Sequence, residues 1–133
     1  MDIVVDASVI LAVLGNRPEK AALVRLTKGA TLLAPPSVQW EVGEALLEMV
    51  RRKAISLDVA IELVETYAAI PIRMSDVRLM QVVEWAAGVN VSAEDASVLA
   101  CAVNHGASLL TLDDKLKERA RDVNVEVLEV RGK

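Results

Sequence analysis

The sequence has no phenylalanine, one histidine and one cysteine. Trp40, Trp85 and Tyr67 are its only aromatic residues, so base stacking is excluded as the main mode of contact with a nucleic acid, leaving phosphates and base edges. With Cys101 alone no internal disulfide can form, and its place in the apolar run ASVLACAV is that of inert core packing. His105 and Cys101 cannot build a His/Cys zinc site, and no serine–histidine pair has evident support. No apolar stretch reaches spanning length and no basic-then-apolar leader opens the chain, so the expectation is a cytoplasmic protein with no membrane association.

What remains abundant is aliphatic volume and carboxylate. The 133 residues are 53% hydrophobic and 26% charged, enough for one domain over 1–133 with a full core. Nineteen acids against fifteen Lys and Arg give a net charge of −4, which argues against a passive nucleic-acid binder. Clustered acids neutralised by hard cations would weaken that objection, and Mg²⁺ or Mn²⁺ suits an oxygen-only donor set. Two basic stretches, VRRK from Val50 and DKLKERAR from Asp114, are either solvated helix faces or phosphate contacts.

Periodicity interleaves strands and helices. Ile3–Val5 reads as a strand that hands over at Asp6 to a helical pattern. A helix is predicted from Pro18 to about Lys28 with Gly29 as its stop, followed by the strand in ATLLAPPS. Ser37 is the expected N-cap of a long helix to about Lys53, and Ser56 or Asp58 starts another toward Ala69. IPIRM supplies a third strand, Ser75 caps a helix reaching Gly88, and Ser92 caps one ending at Gly106. ASLLTL is a fourth strand, a basic helix runs to about Asp122, and VNVEVLEV alternates as a fifth, edge-like strand. The expectation is a three-layer α/β/α domain on a mainly parallel five-stranded sheet. Ligands in such sheets gather at the carboxyl ends of strands, near the point where strand order reverses.

Four acids fall at such ends or at helix starts. Asp6 follows the first strand with the Ser8 hydroxyl placed to orient it; helix capping is its plain alternative. On the long helix, Val38, Val42, Ala45, Leu46 and Met49 form an apolar arc, with Glu41 about 80° from its centre, Glu48 about 100° and Glu44 about 140°. Glu41 is thus nearest the buried side and is placed in the first helical turn, where the helix dipole favours an anion. Glu48 is expected to pair with Arg52, while Trp40 and Leu47 lie exposed on the opposite face. Asp95 sits in a capping-box pattern, SAED, before a helix so apolar that its first turn must abut the core; Glu94 points outward. Asp113 ends the strand SLLTL with Thr111 two residues before it, placed to hold it by a hydroxyl contact, while Asp114 starts the helix. Like charges gathered on one edge repel unless a cation neutralises them.

The order VDASVIL, PPSVQWEVGEAL, EDASVLACA and LLTLDDKL resembles the PIN-domain family over essentially the whole chain, and particularly the VapC-like ribonuclease toxins of toxin–antitoxin pairs. The resemblance places the family's acids on Asp6, Glu41, Asp95 and Asp113, with Ser8 and Thr111 in support. Asp114 adds a competing acid beside Asp113, and Glu44 an alternative to Glu41. It implies an endoribonuclease dependent on Mg²⁺ or Mn²⁺, in which Asp6, Asp95 and Asp113 hold metal while Glu41 bridges metal or orients the attacking water. The products would be a 5′-phosphate and a 3′-hydroxyl. It also implies a homodimer and a small antitoxin whose tail blocks the acidic cleft. Two other classes stay open. A phosphoacceptor of receiver or haloacid-dehalogenase type also places an aspartate after its first strand, although Ser8 stands where the latter expects an acid, and Asp2 and Lys115 are poorly placed for the former. A catalytically silent PIN module acting as a binding scaffold is the other.

Overall fold

The computed structural model describes residues 1–131. Their elements run β1 (Asp2–Val5), α1 (Ala7–Leu14), α2 (Lys20–Thr27), β2 (Thr31–Ala34), α3 (Pro36–Arg51), α4 (Leu57–Ala69), β3 (Ile72–Met74), α5 (Leu79–Val89), α6 (Ala93–His105), β4 (Ser108–Leu110) and α7 (Asp114–Asp122). All strand pairings are parallel, in the order β3-β2-β1-β4. In β1, Ile3, Val4 and Val5 are all almost wholly buried although alternate side chains face opposite ways, so both faces of the sheet are covered. The core joins these residues to Val9 and Ile10 of α1, Leu33 of β2, Val38 and Val42 of α3, and Val98 and Leu99 of α6.

Among the described residues the sheet has four strands, not five. VNVEVLEV contributes one isolated parallel bridge, Leu109 with Val127, with the Leu109 amide donating to Glu126 O at 2.8 Å and the Leu128 amide to Leu109 O at 3.0 Å. The alternating segment thus runs beside β4 but meets it at one residue pair only, without forming a ladder.

Other boundaries move for local reasons. α3 begins at Pro36, with extended Pro35 as its N-cap, because proline is preorganised for the first helical position; Ser37 therefore lies inside the helix and caps nothing. Glu41 is consequently in the second turn, and the expected dipole stabilisation does not reach it. α2 starts at Lys20, two residues beyond Pro18. Ser75 does not cap α5, which starts at Leu79; its hydroxyl instead bonds His105 Nε2 at 2.7 Å. Gly88 stays inside α5, and Asn90, at φ 61°, makes the left-handed stop. Ser56, Ser92 and Gly106 occupy their expected cap positions. Cys101 is buried, and burial pushes its thiol up to about 11, as inert packing requires. Among the described residues no helix is long and apolar enough to cross a membrane.

Candidate active site

Strand order reverses between β1 and β4: the chain steps from β1 outward through β2 and β3, then returns to the other side of β1. The carboxyl ends of these two neighbours carry Asp6 and the segment Thr111–Asp113. Asp6 is only 7% exposed, and its carboxylate is fixed from two directions. Oδ1 accepts from Ser8 Oγ at 2.6 Å and from the Val9 amide at 3.3 Å, which also caps α1. Oδ2 accepts from Thr111 Oγ1 at 2.5 Å. The Leu112 amide donates to Ser8 Oγ at 2.9 Å, so Ser8 ties the two strand ends together. Capping and presentation of Asp6 are therefore compatible. With both oxygens engaged, Asp6 suits a fixed ligand better than a phosphoryl-accepting nucleophile.

Thr111 is fully buried, and its hydroxyl serves Asp6 where the sequence pointed to Asp113. Its contact with Asp113 is through the backbone, the Asp113 amide donating to Thr111 Oγ1 at 3.1 Å. Asp113 itself is the N-cap of α7: Oδ1 accepts from the amides of Lys115 at 2.9 Å and Leu116 at 3.3 Å. The separation of roles between Asp113 and Asp114 is thus altered. Asp113 both acts on the site acids and caps the helix, and Asp114 is an exposed first-turn residue paired with Lys117 at 3.5 Å.

Glu41 and Asp95 are half-buried on α3 and α6. A short hydroxyl contact, Ser37 Oγ to Ser97 Oγ at 2.7 Å, joins those helices near their starts. Burial, then the charges of Asp95, Asp6 and Glu94, pushes the Glu41 carboxyl up to about 7. Asp95 is raised by burial, then by Asp113, Asp6 and Glu94. Burial also raises Asp6; its bonds from Ser8, Thr111 and Val9 oppose the shift, and Asp113 adds to it. The four expected acids therefore share one electrostatic field.

Glu94 joins them. It is exposed, as expected, yet it faces the same groove as Glu41, a contact that the helix wheel of α6 alone does not reveal. Nothing in the sequence signals this, because it depends on how α3 and α6 pack together, where Ser37 and Ser97 meet. Glu44 is exposed and pairs with Arg51 at 3.4 Å, whereas the expected Glu48–Arg52 pair is not among the ion pairs of the described residues. On the other side of Asp95, a groove of about 270 Å³ is lined by Asn90, Val91, Ser92, Lys115 and Arg119.

Among the described residues no three His, Cys, Asp or Glu side chains form a ready-made ion site. The donor chemistry nonetheless fits a hard divalent cation. The charged groups that raise Glu41 and Asp95 are all acids, and these four side chains offer only oxygen donors.

Residues 3–122 match the model of the PIN domain. The chain belongs to the PIN-domain family. Solved structures that share the fold include the following three. PAE2754 from Pyrobaculum aerophilum aligns with a TM-score of 0.72 at 20% identity, over 90% of this chain and 79% of that one. VapBC2 from Rickettsia felis, bound to a DNA fragment from its promoter, aligns at 0.71 and 13%, over 96% and 98%. Mycobacterium tuberculosis VapC20, a sarcin-ricin loop cleaving toxin, aligns at 0.68 and 16%, over 98% and 99%. No curated protein matches the sequence.

Proposed function

We propose that this PIN domain is an endoribonuclease dependent on Mg²⁺ or Mn²⁺ and acts as the toxin of a toxin–antitoxin pair. The observation that carries the reading is the convergence of Asp6, Glu41, Asp95 and Asp113 in one acidic field at the strand-order reversal. Asp6, Asp95 and Asp113 would hold the ion, with Glu41 beside them. Bound there, a divalent ion lowers the pKa of water and stabilises charge on a phosphate undergoing in-line displacement.

The chain's own groups do the positioning. Ser8 and Thr111 lock Asp6 in one rotamer, so its geometry is set before substrate arrives. Glu41, half-buried beside Asp95 and Asp6, is placed to share the ion or to orient the attacking water. Lys115 and Arg119, lining a groove with Asp95, are placed to meet backbone phosphates and offset the net negative charge. The structural likeness to VapBC2 and VapC20 supports a small antitoxin as partner and RNA as substrate. A homodimer and a cytoplasmic location complete the proposal.

The test is cleavage of single-stranded RNA by the purified chain, with Mg²⁺, with Mn²⁺ and with chelator. Wild type should cleave only with metal, while Asp6→Asn and Asp95→Asn should lose cleavage and metal affinity by calorimetry yet keep their helical circular dichroism. Metal-independent cleavage, or unchanged metal affinity in both variants, would sink the assignment. RNA binding without cleavage under any condition would instead indicate a silent binding module.

A further inference from the structure

We propose that Trp40 is a stacking platform for one unpaired base of the substrate, and that the carboxylates around it select a base carrying an exocyclic amino group. The proposal rests on the ribonuclease reading and adds a specificity determinant to it. Trp40 is 71% exposed, an unusual state for the largest apolar side chain. It directly precedes Glu41 on α3, and both line one groove of about 370 Å³ with Ser37, Glu44 and Glu94. An indole face beside a site acid places a stacked base next to the phosphate that the acids would address. One platform remains consistent with an aromatic-poor chain whose other contacts are to phosphates and base edges.

The rim defines which base. Glu94 makes no ion pair among the described residues, and an ionised carboxylate only accepts hydrogen bonds. Cytosine N4, adenine N6 and guanine N2 can donate to such a rim. Uracil has no amino group, and its one edge donor, N3–H, lies between O2 and O4, so donating it brings a carbonyl toward the neighbouring carboxylates. An apolar protein surface fits the groove less well, because covering Trp40 would also desolvate the glutamates beside it, while a base needs only the indole face and an edge. Leu47, the next exposed apolar residue on this side of α3, is 41% exposed and lies two turns further on, beyond Glu44.

Fluorescence can isolate the platform. Trp85 packs against the core, so Trp85→Phe leaves Trp40 as the only indole. In that background, oligocytidylate and oligoadenylate should quench emission in the presence of Ca²⁺, and oligouridylate should bind at least about fivefold more weakly. Trp40→Ala should raise KM about 5- to 100-fold on cytosine- or adenine-bearing RNA with kcat changed less than about twofold, the range for losing one stacked base. Trp40→Phe should recover most of the loss, and the salt dependence of binding should be unchanged because no phosphate contact is removed. An unchanged KM in Trp40→Ala, or no quenching at concentrations that saturate cleavage, overturns the proposal and leaves this face to a protein partner. Equal binding of all three oligonucleotides overturns the base selection. Quenching with the expected preference in a protein that cleaves no RNA would uphold the platform and refute the nuclease.

Discussion

Thr111 donates its hydroxyl proton to Asp6 across 105 residues of sequence, at 2.5 Å, and is itself fully buried. This bond joins β1 to the end of β4 and decides how Asp6 faces the site. Thr111→Val keeps the branched shape but removes a donor from a buried carboxylate, which costs about 1–3 kcal/mol when the acceptor is left unsatisfied. The bond also lowers the Asp6 pKa, so its loss favours the protonated acid and weakens cation binding. Urea melts should show a lower midpoint at unchanged slope, and calorimetry weaker Mn²⁺ binding, with both largely restored in Thr111→Ser. Wild-type Mn²⁺ affinity in Thr111→Val would show that Asp6 is not positioned through this bond.

Asp113 and Asp114 separate by a different route from the one their order in the sequence predicts. Asp113 caps α7, and asparagine caps about as well as aspartate, so Asp113→Asn removes charge while retaining the cap; Asp113→Ala removes both. Asp113→Ala should therefore lose about 0.5–2 kcal/mol relative to Asp113→Asn. Both should shrink the Mn²⁺-induced rise in melting temperature, since an ion that binds only the folded state stabilises in proportion to its affinity. Asp114→Asn should leave that rise intact and cost at most about 1 kcal/mol from the helix dipole. Should Asp114→Asn alone abolish the rise, Asp114 is the ligand.

Most of the architecture was legible because buried parallel strands and amphipathic helices write distinct periods into the sequence. IVV, TLLA and SLL are all strands, and the apolar arc of Val38, Val42 and Leu46 is buried as its spacing requires. The differences have two causes. Pro36 at a helix start, Ser75 bonded to His105, and VNVEVLEV reduced to one bridge each depend on partners distant in sequence or on local choices between equally acceptable caps. At the site, Asp6, Glu41, Asp95 and Asp113 could be selected from strand ends and helix wheels. Whether Thr111 served Asp6 or Asp113, and whether Glu94 reached the cluster, depended on how β1 lies beside β4 and α3 beside α6.

Glu41 and Glu44 test how strictly the face of α3 is selected. Glu41 is half-buried and lies in the field of Asp95 and Asp6, whereas Glu44 is exposed and held by Arg51 at 3.4 Å. Glu41→Gln should abolish metal-dependent cleavage, a loss of at least about 100-fold for a group assisting proton transfer. Glu44→Gln should remain within about threefold of wild type, since an exposed ion pair contributes about 0–1 kcal/mol. Equal impairment of the two variants would mean that the catalytic face of α3 includes Glu44.

The acid cluster also predicts an inverted pH dependence of stability in the metal-free protein. Asp6, Glu41 and Asp95 all titrate above their ordinary values in the folded chain, chiefly through burial and then through one another. Above their unfolded pKa values the folded state holds more protons than the unfolded one, so stability falls as pH rises. Their favourable contribution is complete below the ordinary carboxylate range and is lost as each group ionises in the fold; for Glu41 that window runs from 4.5 to about 7. Saturating Mn²⁺ should flatten or reverse the trend, because a cation stabilises the ionised acids. Chemical denaturation at pH 5, 6, 7 and 8 in chelator should give declining unfolding free energies, with the decline smaller in Glu41→Gln, whose amide cannot ionise. A constant or rising metal-free stability across that range, or a Glu41→Gln profile parallel to wild type, would mean that the carboxylates are relieved by a charge within the fold and do not require a cation.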